Sequence, residues 1–439
     1  MPNQEVVLSL HGIIWENKMN KTYLPRLSDD ELQIALQSSG AVLIEGAKWC
    51  GKTSTALNAS NSVLYMQDPD TAVSNMNLAD TKPSLLLLGN APRLIDEWQM
   101  APVLWDAVRF EVDKRGKAGQ FILTGSAVPK DNVVAHTGTG RISRLRMRPM
   151  SLFESLESTG SVSLKALFEG EVDIADQSEL SIEQLAFILC RGGWPASLNL
   201  QGDAALRMAR DYVEAVINFD ISAVDGVEKS PERVRLLMRS FARNIATQAS
   251  FQTIKADMEA HDATLSDKSI SSYITALQRI FVVEDLPAWL PSLRSKTAIR
   301  SAVKRHFVDP SIAAAVMRTN PQGILKDFEY FGFLFESLCT RDIRIYAQRN
   351  DGDVFHYRDK SGLEADMIIR LRDGRWAAVE VKLGNSQIEE AASNLLKLKE
   401  KIDEETMGKA SFLMILTGGQ YAYRRDDGVL VVPIACLKN

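Results

Sequence analysis

Cysteine is scarce, long apolar runs are missing, and basic charge is not in excess. The four cysteines in 439 residues (Cys50, Cys190, Cys339 and Cys436) stand far apart with no CxxC pair. That spacing supports neither a thiolate zinc site nor a disulfide framework, and a reducing cytoplasm is the expected compartment. The longest apolar runs, such as Leu85 to Leu88, are far too short to span a bilayer. No basic region followed by a long apolar run opens the chain, so neither a membrane span nor a secretory leader is expected. Net charge is −5, so no general basic field attracts nucleic acid, and any DNA contact must come from local patches. Internal repeats and low-complexity tracts are absent as well. The apolar and charged fractions, 45% and 24%, are those of an ordinary globular protein. The length exceeds one core and suggests about three domains.

Against this plain background one stretch stands out, Gly46-Ala-Lys-Trp-Cys-Gly-Lys-Thr53. It follows the apolar run Ala41-Val-Leu-Ile44 and precedes Ser54-Thr-Ala-Leu57, giving strand, glycine loop and helix. The spacing satisfies GxxxxGK[ST], the phosphate-binding loop. Glycines let successive backbone N–H groups point into one concavity, and the positive end of the following helix faces the same anion. Lys52 is expected to reach the β- and γ-phosphates of ATP, and the Thr53 hydroxyl to ligate Mg²⁺. Gly46, Lys48, Gly51 and Ser54 complete the expected phosphate contacts.

Downstream, Arg93-Leu-Ile-Asp-Glu-Trp-Gln99 is a buried-type strand ending in two acids, about fifty residues beyond the loop. Asp96 is assigned to the Mg²⁺ shell and Glu97 to polarising the attacking water; the alternative is a strand end with solvated acids. A further strand, Gln120 to Ser126, turns polar at its carboxyl end, where open α/β sheets bind ligands. Thr124 or Ser126 is a candidate sensor of the γ-phosphate, unless this is a helix-capping turn. Gly140 to Pro149 then holds Arg141, Arg144, Arg146 and Arg148. Alternation places the last three on one face of a strand, and Arg141 is a candidate arginine finger for a neighbouring copy. A charge-protected edge strand explains the same residues without catalysis.

Tyr23-Leu-Pro-Arg26, Gly46–Thr53, Leu94-Ile-Asp-Glu-Trp-Gln99, Phe121-Ile-Leu-Thr-Gly-Ser126, Gly140-Arg141 and Gly192-Gly-Trp-Pro195 together resemble one prokaryotic family. It comprises AAA-type ATPases with a C-terminal domain of unknown function that is similar to PD-(D/E)XK nucleases. The resemblance covers the chain from about residue 20 and departs from the family pattern at Trp49-Cys50, whose side chains are expected to point away from phosphate. It implies an α/β fold: an AAA-type P-loop sheet at 1–150, a helical lid at 151–225, a winged-helix domain at 226–325 and a restriction-endonuclease-like α/β domain at 326–439.

The residue patterns of the middle agree with this division. Ile182 to Cys190 and Ala204 to Asp220 are helical, broken by Gly192, Gly193 and Pro195. Helices at Ser250–Met258 and Leu265–Ile280, followed by strands at Phe281–Val283 and Arg305–Val308, read as a winged helix. Arg294, Lys296, Arg300, Lys304 and Arg305 gather in its wing as candidate phosphate contacts, against the alternative of domain packing.

In the last quarter, Phe331 to Leu338 is an apolar helix carrying Glu336, and Val354–Arg358, Leu363–Ile369 and Trp376–Lys382 read as strands. Asp373-Gly374 is the hairpin turn between the last two. Period two puts Glu364 with Asp366 on one face and Glu380 with Lys382 on one face. The expectation is a Mg²⁺ site of Asp366 and Glu380, completed by Glu336, with Lys382 activating water for phosphodiester cleavage. Without a metal, such clustered carboxylates are expected to be electrostatically strained. The alternative is a salt bridge on an exposed hairpin. His356 is read as a packed or surface imidazole. Three functions stay open: an ATP switch controlling a nuclease-like domain on DNA, an ATP switch whose C-terminal domain binds DNA or protein uncut, and a scaffold with little turnover.

Overall fold

The apolar run before the glycine loop becomes β1 (Ala41–Gly46), an interior strand of a parallel sheet. Its residues alternate between two cores, as a strand covered on both faces must. The computed structural model describes residues 8–9, 12–13, 23–126, 138–224, 227, 229–262, 264–289, 291 and 302–439. The chain falls into two compact units, Met1–Met147 and Arg148–Asn439.

In the first unit, α1 (Leu27–Ser38) leads to β1, then come α2 (Lys52–Ala59), β2 (Ser62–Tyr65), β3 (Arg93–Asp96), α3 (Val103–Arg115), β4 (Phe121–Gly125) and β5 (Ile142–Met147). The five strands are all parallel, in the order β2-β3-β4-β1-β5. Ala41, Leu43, Ile95, Phe121 and Leu123 face Leu104, Trp105 and Val108 of α3. Val42, Ile44, Leu94 and Ile122 face Leu32, Leu36 and Ala56 on α1 and α2. Parallel strands put all carboxyl ends at one edge, so the glycine loop, Asp96 and Thr124 meet there. Asp96 and Thr124 are direct partners across β3 and β4, and Thr124 lies beside Ile44.

The second unit holds a seven-stranded mixed sheet. Its strands are β6 (Ala175–Gln177), β7 (Gly352–Arg358), β8 (Glu364–Leu371), β9 (Trp376–Lys382), β10 (Leu413–Thr417), β11 (Tyr421–Arg424) and β12 (Leu430–Pro433), ordered β7-β8-β9-β10-β12-β11-β6. Helix α11 (Ile388–Lys401) buries Ala391, Leu395 and Leu398 against Ile368, Trp376 and Ala378. The long helix α10 (Phe328–Arg349) packs on β7, β8 and β9. Helices α4 (Ile182–Arg191), α5 (Gly202–Ala215), α6 (Pro231–Arg243), α7 (Phe251–Glu259), α8 (Asp267–Arg279) and α9 (Pro310–Val316) make up the middle. Strand β6 comes from the stretch expected to form a lid, yet it pairs with β11, and Ser178 N–H donates to the Gln420 carbonyl at 2.7 Å. That stretch therefore shares a sheet with the last residues of the chain.

The Gly192-Gly-Trp-Pro195 turn sits on a buried ion network. Gly193 N–H donates to Asp309 at 3.0 Å, and a Cβ on Gly193 would lie 2.2 Å from the Met150 carbonyl oxygen. Arg341 of α10 contacts Asp309 and Asp342, each at 2.7 Å, and Asp342 accepts from Leu152 N–H at 2.9 Å. Only glycine admits this close approach of backbones.

Among the described residues no helix is long and apolar enough to cross a membrane. All four cysteines are buried and free.

Candidate functional site

The glycine loop is shaped by two tight places. A Cβ on Gly46 would stand 2.1 Å from the Met147 carbonyl oxygen, and Gly51 takes φ 106°, a conformation side chains disfavour. Arg26 fastens the loop by donating to the Cys50 carbonyl at 2.8 Å, which gives Tyr23-Leu-Pro-Arg26 a structural purpose. Cys50 is buried, whereas Lys48 and Trp49 at the loop's tip and Ser54 in the first turn of α2 are exposed. The buried Lys52 ammonium donates to the carbonyls of Gly46 and Ala47, at 3.0 and 2.8 Å.

Next to the loop, Thr53 and Thr124 both donate to Asp96 Oδ1, at 2.8 and 2.6 Å. Gln67 approaches the other oxygen at 3.4 Å. The Thr53 hydroxyl and the Asp96 carboxylate are hard oxygen donors beside the phosphate loop, a set that fits Mg²⁺. Glu97 follows in the left-handed region, φ 57°. Its carboxylate accepts a short bond from Gln99 Nε2 and lies 3.5 Å from the Ser126 hydroxyl. Of the two sensor candidates, Thr124 therefore touches Asp96, and Ser126 faces Glu97.

Arg141 lies elsewhere. Its carbonyl accepts from Ala41 N–H at the start of β1, the edge of the sheet opposite the loop. Its guanidinium pairs with Asp113 at 2.8 Å and is 47% exposed. Arg144 pairs with Glu45 and covers the Trp105 ring, but Arg148 does not share that strand. β5 stops at Met147, and Arg148 clasps Glu284 of the second unit at 2.7 and 2.9 Å.

The second unit gathers a different set. Helix α10 carries Glu336, β8 carries Asp366, and β9 carries Glu380 and Lys382. Asp366 sits where the β8–β9 ladder loosens, and its carboxylate accepts from Val381 N–H at 2.9 Å. Lys382 lies 2.8 Å from Glu380 and 3.8 Å from Asp366. Glu364 is not in this group and pairs with Arg358 at 3.0 Å.

A fifth residue enters, Lys304, whose ammonium is 2.6 Å from Glu336 and 2.9 Å from Asp366 with its side chain 7% exposed. Lys304 thus faces inward and is not a phosphate contact. Arg305 likewise pairs with Asp285, at 2.5 Å. Arg294, Lys296 and Arg300 lie outside the described residues. The expected electrostatic strain is relieved by Lys304, which brings positive charge to the carboxylates.

Burial and the neighbouring Asp366 push the Glu336 carboxyl up to about 7 and the Glu380 carboxyl up to about 8. Burial also acts upward on Asp366, but Lys304 and then Lys382 outweigh it and bring its carboxyl down to about 2. The described residues contain no group of three His, Cys, Asp or Glu side chains arranged to hold a metal ion. With an ammonium between Glu336 and Asp366, this set as folded does not fit a divalent cation.

His356 is buried in packing. Its Nε2 donates to the Ala302 carbonyl at 2.9 Å, and Nδ1 faces the Gln248 amide at 3.3 Å. Sequence reasoning missed Arg26, Gln99 and Lys304 as parts of these sites. Gln99 follows Glu97 so closely that a search for donors near the acids would have found it. Lys304 carries no local sign of burial.

Three family models match the chain. Residues 38–156 match one described as an AAA domain, 182–323 a domain of unknown function (DUF8612), and 331–437 another domain of unknown function (DUF4143). No curated protein matches. Among solved structures, a Walker-type ATPase of Pyrococcus abyssi is similar at 12% identity, over 66% of this chain and 94% of its own, with a TM-score of 0.40. A Signal Transduction ATPase with Numerous Domains, carrying a tetratricopeptide repeat sensor, from Pyrococcus horikoshii is similar at 15% identity over 74% of this chain, TM-score 0.26. This chain spans only 50% of that protein. Drosophila ORC bound to DNA is similar at 12% identity, over 61% of this chain and 86% of that one, TM-score 0.18. Scores this low carry no inference about function. The family match over 38–156, together with the loop and the parallel sheet, gives this part of the chain a P-loop NTPase-like α/β fold similar to AAA domains.

Proposed function

We infer that the chain is an ATP-hydrolysing switch in the cytoplasm that governs a nuclease-like C-terminal domain, and that this domain engages DNA by binding. The observation carrying the ATP half is the meeting of Lys52, Thr53 and Asp96 at one edge of the parallel sheet. In this reading Gly46, Lys48, Gly51 and Ser54 cradle the phosphates and Lys52 neutralises the β- and γ-oxygens. Thr53 and Asp96 hold Mg²⁺, which supplies further neutralisation of developing phosphate charge. Glu97 polarises the attacking water, Thr124 keeps Asp96 in place, and Arg141 serves the nucleotide of a neighbouring copy in a homo-oligomer.

For residues 326–439 the nuclease-like reading is supported by the order α10, β7, β8, β9, α11, β10, with Glu336, Asp366, Glu380 and Lys382 in turn along it. The winged-helix reading of 226–325 is supported by α7, α8 and the antiparallel bridges Val283–Phe307 and Leu286–Lys304. Cleavage of DNA is the second reading, favoured by Lys382 lying 2.8 Å from Glu380 beside Asp366. Binding without cleavage is preferred because Lys304 sits between Glu336 and Asp366.

The test is the affinity of labelled duplex and single-stranded DNA for the full chain with ATP and with ADP, using Glu97→Gln to hold the ATP state. The switch requires affinities that differ between the two nucleotides, with the DNA recovered intact. Equal affinities in both states would refute it, and Mg²⁺-dependent cutting abolished by Lys382→Ala would establish the second reading instead.

A further inference from the structure

We propose that Lys304 is a built-in cation occupying the metal position of the C-terminal carboxylate site, so that the chain as folded takes up no divalent ion there. The proposal rests on the nuclease-like reading of residues 326–439, since only that reading leads a metal to be expected.

Five side chains form an alternating line: Glu336, Lys304, Asp366, Lys382, Glu380. Each space between neighbouring carboxylates is spanned by an ammonium. Both oxygens of Asp366 are engaged: Oδ1 faces Lys304, while Oδ2 faces Lys382 and the Val381 N–H. An ammonium needs hydrogen bonds of ~2.8 Å, whereas Mg²⁺ needs oxygen contacts of ~2.1 Å. The separations of 2.6 and 2.9 Å at Lys304 are those of an ammonium.

Lys304 reaches this position from outside the helix and strands that carry the acids. Its backbone exchanges both hydrogen bonds with Leu286, at 2.8 and 3.0 Å, which fixes the side chain's point of entry. The next residue anchors the same segment, since Arg305 N–H donates to the Thr247 carbonyl at 2.9 Å and its guanidinium pairs with Asp285. A divalent ion entering between Glu336 and Asp366 would have to expel this ammonium, and the buried lysine would then lose both carboxylate partners. One lysine thereby converts a prospective metal site into an internal ion pair and couples the 302–309 segment to α10 and β8.

The test is Mn²⁺ binding by the full chain without nucleotide, read by electron paramagnetic resonance of free Mn²⁺. Asp366→Asn is the reference that cancels any Mn²⁺ held by the phosphate loop. Wild type and Asp366→Asn are expected to bind identically. Lys304→Met is expected to gain one site, at least tenfold tighter than anything in wild type, and to lose it when Asp366→Asn is added. Should Lys304→Met fail to fold, the charge-balanced pair Lys304→Met with Glu336→Gln keeps Asp366 and Glu380 as ligands and is expected to gain the same site. A wild-type Mn²⁺ site removed by Asp366→Asn would overturn the proposal while leaving the nuclease-like reading intact. Folded Lys304 variants that gain no site would overturn both, leaving the ion line as packing alone.

Discussion

The hydroxyl of Thr124 donates to Asp96 Oδ1 at 2.6 Å, across the last register pair that joins β3 to β4. The same oxygen accepts from Thr53, so Thr124 fixes an acid that the phosphate loop also uses. Thr124 is fully buried, and replacing it by valine keeps shape while removing the donor. A hydrogen bond to a charged group contributes about 1.5–3 kcal/mol. Thr124→Val should therefore slow ATP turnover roughly 10- to 100-fold while changing ATP affinity less. Steady-state hydrolysis with nucleotide-binding titrations checks this, and an unchanged turnover would remove Thr124 from the site.

Glu97→Gln should keep ATP binding and slow hydrolysis by about 10²-fold or more, because only the proton-accepting carboxylate is lost. Single-turnover hydrolysis with preloaded ATP is the measurement. Loss of binding would mean that Glu97 holds the loop instead of acting on water.

Arg141 stands at the sheet edge away from its own loop, so any action on nucleotide must be on a neighbour's. Turnover per subunit should then rise with protein concentration, and Arg141→Ala should flatten that rise and lower the plateau by on the order of 10³-fold. Asp113→Ala, which removes its salt-bridge partner, should leave the concentration dependence in place. Concentration-independent turnover unaffected by Arg141→Ala would leave this arginine as part of a charged sheet edge.

Acid should weaken the second unit through its histidines. Burial, then the charge of Lys304, brings His356 down to about 4, and burial, Arg344 and Lys304 lower His306 as well. The unfolded chain binds these protons near pH 6.5, before the folded one does, so stability is full above that pH and lost as pH falls toward 4. The slope is about 1.4 kcal/mol per pH unit for each histidine. Glu336 and Glu380, raised to about 7 and about 8, act in the opposite sense over this range, so urea unfolding at pH 7.5 and 5.5 is compared between wild type and His356→Gln, and acidification should cost the variant less. An identical pH response in wild type and His356→Gln would contradict the burial of that ring.

The phosphate loop, β1, β3 and β4 were legible because their signals are local. Neighbouring residues in the chain specify a glycine turn, an apolar strand and the acids at its end. The hairpin at Asp373-Gly374 was legible for the same reason, with Gly374 at φ 95° and β8 and β9 pairing as expected. Lys304 was not, because its partners lie 32 and 62 residues away. Within Ala302-Val-Lys-Arg-His306 a lysine reads as one more basic residue of a wing. Nor was β6, whose Ala-Asp-Gln carries no apolar alternation and depends on β11 for its pairing. Arg148 was placed on a strand by alternation, but Glu284, 136 residues on, claims it.

Arg341 illustrates how firmly distant segments are tied in the second unit. It is buried between Asp309 and Asp342, and those acids hold the backbone of Gly193 and Leu152. Arg341→Ala would leave two buried carboxylates without their cation, and removing one partner of such a group costs about 3–5 kcal/mol. The urea midpoint should fall accordingly, and a change under 1 kcal/mol (about the worth of a surface pair) would contradict the network.

The central claim is that the first unit hydrolyses ATP with Asp96 as an essential acid. Phosphate release from ATP and Mg²⁺ by the purified full chain, set beside Asp96→Asn and Lys52→Ala, tests it most directly. Steady release by the wild type, reduced about 10²-fold or more in both variants while their unfolding stays cooperative, is the expected result. Release that is absent from the wild type, or equal in wild type and Asp96→Asn, would contradict the account.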